Sequence, residues 1–172
     1  PGTNHPRMLT ALQKAKRAGA KIVAINPLKE AGLLGFKNPQ HLGGMLGFST
    51  SLADHYLQVR INGDMPLLRG IMKLLIEKGA LDQAFINDKT EGFQNLIESL
   101  AQLDWGTIET QSGISRQVIS EIAELLGKSD RIIACWAMGL TQHKNAVATI
   151  KDVVNLLLLR GSIGKEGGGL CP

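Results

Sequence analysis

The sequence predicts an α/β fold in three layers, a mostly parallel sheet with helices on both faces. Three observations predict it. Short runs rich in β-branched residues at 21–26, 55–61 and 131–136 are each separated from the next by stretches with helical apolar spacing. Strands that alternate with helices pair in parallel through helical crossovers. A chain of 172 residues, 44% hydrophobic and 20% charged, buries one substantial core and is short for two ordinary domains, so residues 1–172 read as a single domain.

Each element has its own justification. Residues 7–18 place Met8, Leu9, Leu12 and Ala15 on one helical face, Lys14, Lys16 and Arg17 on the other, and Gly19 as a stop. Residues 21–26, bounded by Gly19 and Pro27, have the apolar, β-branched character of a buried parallel strand. Residues 28–51 lose both periodicities and hold Gly32, Gly35, Pro39, Gly43, Gly44 and Gly47. A compact domain usually spends about five residues on a connection, so this long Gly-rich loop is either functional or poorly ordered. Residues 55–61 alternate as a short strand, with Tyr56 or Leu57 and Val59 inward, until Asn62 and Gly63 break it.

A helix then follows, with Asp64 as N-cap, Pro66 in the first turn, Leu67, Leu68, Ile71, Met72, Leu74 and Leu75 as the apolar face, and Gly79 at the end. Residues 81–87 predict one or two helical turns, and 92–102 a helix with Phe93, Leu96, Ile97 and Leu100 on one side. Ser115 is the cap of a helix to Leu126, with Ile114 and Ile119 in the positions of a hydrophobic staple. The third strand, 131–136, runs into a loop at 137–143, and a helix spans 145–159. The end of the chain is a glycine run, Gly167, Gly168 and Gly169. The order of elements is that of a Rossmann-like nucleotide-binding domain, in which ligands sit beyond the carboxyl ends of strands.

Composition narrows the function classes. Nineteen Lys and Arg against 15 Asp and Glu give a net charge of +4, compatible with an anionic ligand. Seven aromatic residues supply few stacking platforms, which disfavours nucleic acid as a partner. Cys135 and Cys171 have no CxxC spacing, so metal ligation within the chain is not expected and a reducing, cytoplasmic setting is. The longest apolar runs fall far short of the ~20 residues of a membrane span. Glycine, 20 residues, is well above the usual ~7%.

The residues directly after the strands are the candidate site. Asp64 has two readings: a helix N-cap, or a carboxylate whose two oxygens accept from guanine N1–H and N2–H. Asn26 offers an acceptor and a donor to a ribose or base edge, or stabilises its own turn. The loop at 137–143 either presents backbone amides to a phosphate, with Gln142 bonding the ligand, or merely connects. His143 and Cys171 show no carboxylate or second ligand at useful spacing, so both read as non-catalytic. No catalytic group and no phosphate-binding glycine motif of the usual spacings stands out.

In their order along the chain, Asn4-His5-Pro6, residues 21–27, Val59 to Asp64, Thr90 to Phe93, Trp136 to His143 and Leu158 to Lys165 resemble the molybdopterin oxidoreductases of the DMSO reductase superfamily. The likeness is to formate dehydrogenase-like alpha subunits, and it covers the whole chain but only a central part of such a subunit. It implies a domain that helps hold a bis(molybdopterin guanine dinucleotide) molybdenum cofactor. By motif, Gly63 and Asp64 resemble the family's guanine-recognising carboxylate after glycine. Asn26 and Pro27 fall where the family has its Asp-Pro turn, and Met138, Gly139 and Gln142 resemble the loop against the dinucleotide.

Where many relatives have Asp-Pro-Arg this chain has Asn26, Pro27 and Leu28, with Lys29 the nearby cation. The glycine-rich loop is longer than in formate dehydrogenases, which implies a subfamily whose substrate need not be formate. The molybdenum-ligating Cys or selenocysteine would lie before Pro1. An iron–sulfur cluster, if the parent has one, would also lie outside the chain. The resemblance therefore implies a fragment, inactive alone, whose partners are the remaining domains of its subunit and, in the parent, a small-molecule substrate. The alternative is a free-standing nucleotide-binding or interaction module without redox activity.

Overall fold

The computed structural model describes residues 5–38 and 47–172. The expectations at Asn4, Pro39, Gly43 and Gly44 lie outside the described residues. By its internal contacts the chain divides into two units, Pro1–Val59 and Arg60–Pro172.

In the first unit, α1 (Pro6–Arg17) forms where the apolar spacing placed it, with Pro6 opening the first turn and Leu9 buried. β1 (Val23–Ile25) pairs in parallel with β2 (His55–Leu57), setting Val23 against His55, Ala24 against Tyr56 and Ile25 against Leu57. Leu9, Ala24, Leu33 and Leu52 form the core, with Leu12, Ile22, Phe36 and Tyr56 packed on it. Gln13 is buried beside that core and stays satisfied: its Nε2 donates to Thr50 Oγ1 at 3.0 Å and its Oε1 accepts from Asn38 Nδ2 at 2.9 Å.

Two expectations are corrected here. The first strand is three residues long, and Ala24 is its one fully buried residue, because Ile25 is left 39% exposed. The long loop is partly structured: α2 (Ala31–Leu34) and an antiparallel bridge between Phe36 and Thr50 lie within it. Leu33 and Phe36 anchor that segment to the core, an effect of two side chains that the glycine count concealed.

The second unit is built around α3 (Asp64–Glu77). Its face of Leu67, Leu68, Ile71, Met72, Leu74 and Leu75 is buried as the periodicity predicts. Around it pack α5 (Phe93–Ala101), α6 (Trp105–Ser112), α7 (Arg116–Gly127) and α9 (Ala146–Leu159), while α4 (Gln83–Lys89) packs against α9. Ser115 Oγ accepts from the Val118 amide, and Ile114 and Ile119 are both buried, as a capped and stapled helix start requires. α6 is absent from the sequence reading. Ile108 is its one large buried side chain, so no apolar stripe announces it; the available signal was Asp104, whose carboxylate accepts from the Thr107 amide at 2.8 Å as N-cap.

β3 (Ile133–Cys135) pairs in parallel with β4 (Gly169–Cys171), a strand formed by the glycine-rich end of the chain. A Cβ on Gly168 would come 2.7 Å from the Ser162 carbonyl oxygen, so glycine there permits a close backbone approach. Among the described residues, the strands form two separate two-stranded parallel sheets. The architecture is mixed α/β with short parallel strands.

Candidate functional site

The best-defined predicted residues stand at the start of α3. Arg60 donates its amide to the Ser112 carbonyl at 2.9 Å, and Gly63 donates to the Arg60 carbonyl at 2.8 Å, closing a turn in which Asn62 takes a left-handed conformation (φ 64°). Asn tolerates that region better than most side chains. A Cβ on Gly63 would lie 2.8 Å from Gln111 O, 2.9 Å from Arg60 O and 3.0 Å from Ser112 Cα. The turn is thus pressed against the end of α6, and only glycine fits.

This packing sets Gly63 as the N-cap and makes Asp64 the first helical residue. The expectation that Asp64 is the N-cap is therefore corrected, because the turn ends one residue earlier than the sequence signal placed it. Asp64 is half-buried at the end of the helix where its dipole favours negative charge. Burial pushes its carboxyl above the usual value, opposed by its own backbone amide and by the charge of His143. A half-buried carboxylate gains from strong N–H donors that offset the desolvation.

The second group follows β3. Trp136 donates its amide to Cys171 O at 3.2 Å, and the predicted loop is one helical turn, α8 (Met138–Thr141). Within it the amides of Leu140, Gln142 and His143 are taken by the carbonyls of Ala137, Met138 and Leu140. Those three amides therefore do not form the phosphate cradle the loop reading allowed. Met138 is 65% exposed, a Cβ on Gly139 would meet nothing within 4 Å, and Gln142 Nε2 approaches Met138 Sδ at 3.7 Å. These side chains form an open surface around one turn.

His143, read as non-catalytic, bears on Asp64 through the fold. In sequence it has no carboxylate at useful spacing, yet in the second unit its charge acts on Asp64, 79 residues away. No local pattern could have signalled that. Asn26 and Pro27 belong to the first unit. The Asn26 side chain is engaged in its own turn: Oδ1 accepts from the Leu28 amide and Nδ2 donates to Glu30 Oε1, both at 2.9 Å. Among the described residues no three His, Cys, Asp or Glu side chains gather as a metal-binding group, and no helix is long and apolar enough to cross a membrane. A shallow groove lined by Ile86, Thr90, Phe93 and Leu158 contains none of the predicted site residues.

No family model matches the chain. An oxidoreductase of Mycobacterium tuberculosis is 47% identical over 178 residues, covering all of this chain and 23% of the relative. The alpha subunit of a formate dehydrogenase of Methanocaldococcus jannaschii is 29% identical over 98% of the chain and 22% of its own length. The chain is homologous to one segment of longer proteins named oxidoreductases, among them a formate dehydrogenase alpha subunit. It spans about a quarter of the length of these curated relatives. The fold has a counterpart too: acetylene hydratase from Pelobacter acetylenicus superposes with a TM-score of 0.79 at 20% identity, covering 97% of this chain and 21% of that one. The resemblance stated from the sequence motifs is borne out.

Proposed function

We propose that this segment is the cofactor-binding part of a molybdenum-dependent, formate dehydrogenase-like oxidoreductase, holding a guanine dinucleotide arm of bis(molybdopterin guanine dinucleotide) within a three-layer, Rossmann-like domain. The observation that carries the reading is Asp64, a half-buried carboxylate at the start of α3 whose ionised form is penalised by burial. Guanine N1–H and N2–H are the donors that a two-oxygen acceptor of this kind satisfies. The homologous segment of a formate dehydrogenase alpha subunit supports the same assignment.

Asp64 would accept from guanine, while Gly63 lets its turn sit against α6. Met138, Gly139 and Gln142 would lie along the dinucleotide; Met138 is exposed and the space beside Gly139 is open to a ligand. Asn26 and Pro27 would contribute the turn after β1, with one hydrogen of the Asn26 amide and one lone pair of its oxygen beyond the bonds already made. When bound, the molybdenum centre supplies the redox chemistry, and this chain's residues position the dinucleotide. The remaining domains of the subunit would supply the metal ligand, any iron–sulfur cluster and the small-molecule substrate's pocket. The segment alone is accordingly inactive, and the homology along its whole length to part of longer oxidoreductases favours this reading over a free-standing module.

The test is Asp64→Asn in the full-length parent, read as molybdenum and guanine nucleotide retained per protein. An Asn amide turned towards guanine leaves one donor unpaired at about 1–3 kcal/mol, roughly ten- to a hundred-fold in affinity. Cofactor loss from the parent, with an unchanged melting temperature of the cofactor-free protein, is the expected result. Full retention would remove Asp64 from the site.

A further inference from the structure

The two cysteines are 36 positions apart in sequence and become direct neighbours in the second unit. In the parallel ladder of β3 and β4, Cys135 is the Cα partner of Cys171. Residues paired across a ladder point to the same face, and adjacent strands run about 4.7–4.9 Å apart. That spacing falls within the ~4.4–6.8 Å that a disulfide spans between Cα atoms. Both residues are exposed and neither is bridged. The sulfurs already sense one another: burial first, then the charge and a hydrogen bond from Cys171, push the Cys135 thiol above its ordinary value. The rung is completed on the backbone, where Trp136 donates to Cys171 O at 3.2 Å.

We propose that Cys135 and Cys171 are a reversible dithiol–disulfide pair, a redox modification site built into the β3–β4 ladder. The oxidant is a small-molecule disulfide. One protein thiolate attacks a sulfur of that disulfide, breaks its S–S bond and releases one small thiolate, leaving a mixed disulfide on the protein. The second protein thiolate attacks the protein sulfur of the mixed disulfide and releases the other small thiolate. Two protein S–H bonds are lost and one protein S–S bond is formed, the small disulfide is reduced, and both protons end on the two released thiols. The bridge closes at the rung from which residues 136–142 depart, so it pins the base of α8 to β4. An effect on cofactor binding rests on the reading proposed above; the bridge itself does not.

The experiment uses the full-length parent, treated with oxidised glutathione, alkylated under denaturing conditions and digested with trypsin without reduction. Cleavage after Arg131, Lys144 and Lys165 puts Cys135 in the peptide 132–144 and Cys171 in the peptide that begins at Glu166. The expected product is these two peptides joined, two hydrogens lighter than their sum, with loss of both alkylated forms and full recovery on reduction. Cys135→Ser and Cys171→Ser should each abolish the joined peptide and leave glutathione on the remaining cysteine. Both cysteines recovered alkylated after oxidation, or each carrying its own glutathione in the unaltered protein, would overturn the proposal. The readout does not involve cofactor, so its outcome is independent of the Asp64 test.

Discussion

The ion pair between Arg69 on α3 and Asp152 on α9 gives an asymmetric prediction. Arg69 Nε donates to Asp152 Oδ2 at 2.7 Å; the arginine side chain is 31% exposed and the aspartate 7%. Neutralising either partner breaks the same ion pair but strands a different charge. Asp152→Asn leaves Arg69 with enough exposure to turn its guanidinium into water, so the loss is about that of a charged hydrogen bond, roughly 1.5–3 kcal/mol or less. Arg69→Met leaves a carboxylate with little access to water, and removing one partner of a buried pair costs about 3–5 kcal/mol. The methionine retains most of the apolar stem, so lost packing contributes little to the difference.

Urea unfolding followed by tryptophan fluorescence measures this, because both tryptophans, Trp105 and Trp136, lie in the second unit. With a slope of about 2 kcal/mol per molar urea, Arg69→Met should lower the midpoint by about 1.5–2.5 M, against about 0.75–1.5 M or less for Asp152→Asn. The double variant should recover part of the loss, since it leaves no orphaned charge. Equal costs for the two single variants, or a nearly silent Arg69→Met, would refute the claim that unequal burial decides the energetics.

Gly63→Ala brings a Cβ to within 3 Å of two backbone oxygens and should cost at least the 1–3 kcal/mol typical of overpacking, seen as a lower melting temperature. In the first unit, burial acts to raise the Asp54 carboxyl, but the Ile22 amide and the Lys16 and Lys21 ammoniums outweigh it and hold the carboxyl below its usual value. Its stabilisation is therefore present above the unfolded value and lost as pH falls through the folded one, so Asp54→Asn should cost about 1 kcal/mol at neutral pH and nothing below the folded value in pH-dependent unfolding. Asp64 has the opposite sign. Its carboxyl is raised by burial, so the penalty on the ionised form is present above the folded value and absent below the unfolded one; without cofactor, Asp64→Asn should leave neutral-pH stability unchanged or higher in thermal melts.

The sequence by itself determined the helices with broad apolar faces. In α3, six residues at helical spacing have no way to avoid water except on a common side, and all six are buried. It also determined the capped start of α7, because Ser115 and the Ile114 and Ile119 staple act within one turn. The family resemblance was legible for a different reason: short motifs in a fixed order can be recognised without knowing how the chain folds.

Tertiary structure alone decided the remaining features, which depend on residues distant in sequence. α6 carries one large buried side chain, too little periodicity to read locally. β4 follows a glycine run and becomes a strand only because β3 offers it a ladder, while at Gly168, just before it, Ser162 leaves no room for a side chain. The cap of α3 moved from Asp64 to Gly63 through contact with Gln111 and Ser112, about fifty residues on. The same holds at the site: His143 acts on Asp64, and Cys135 meets Cys171, through folds of the chain that no spacing records. Local patterns report what a residue does with its neighbours in sequence, whereas charge and covalent chemistry act between neighbours in space.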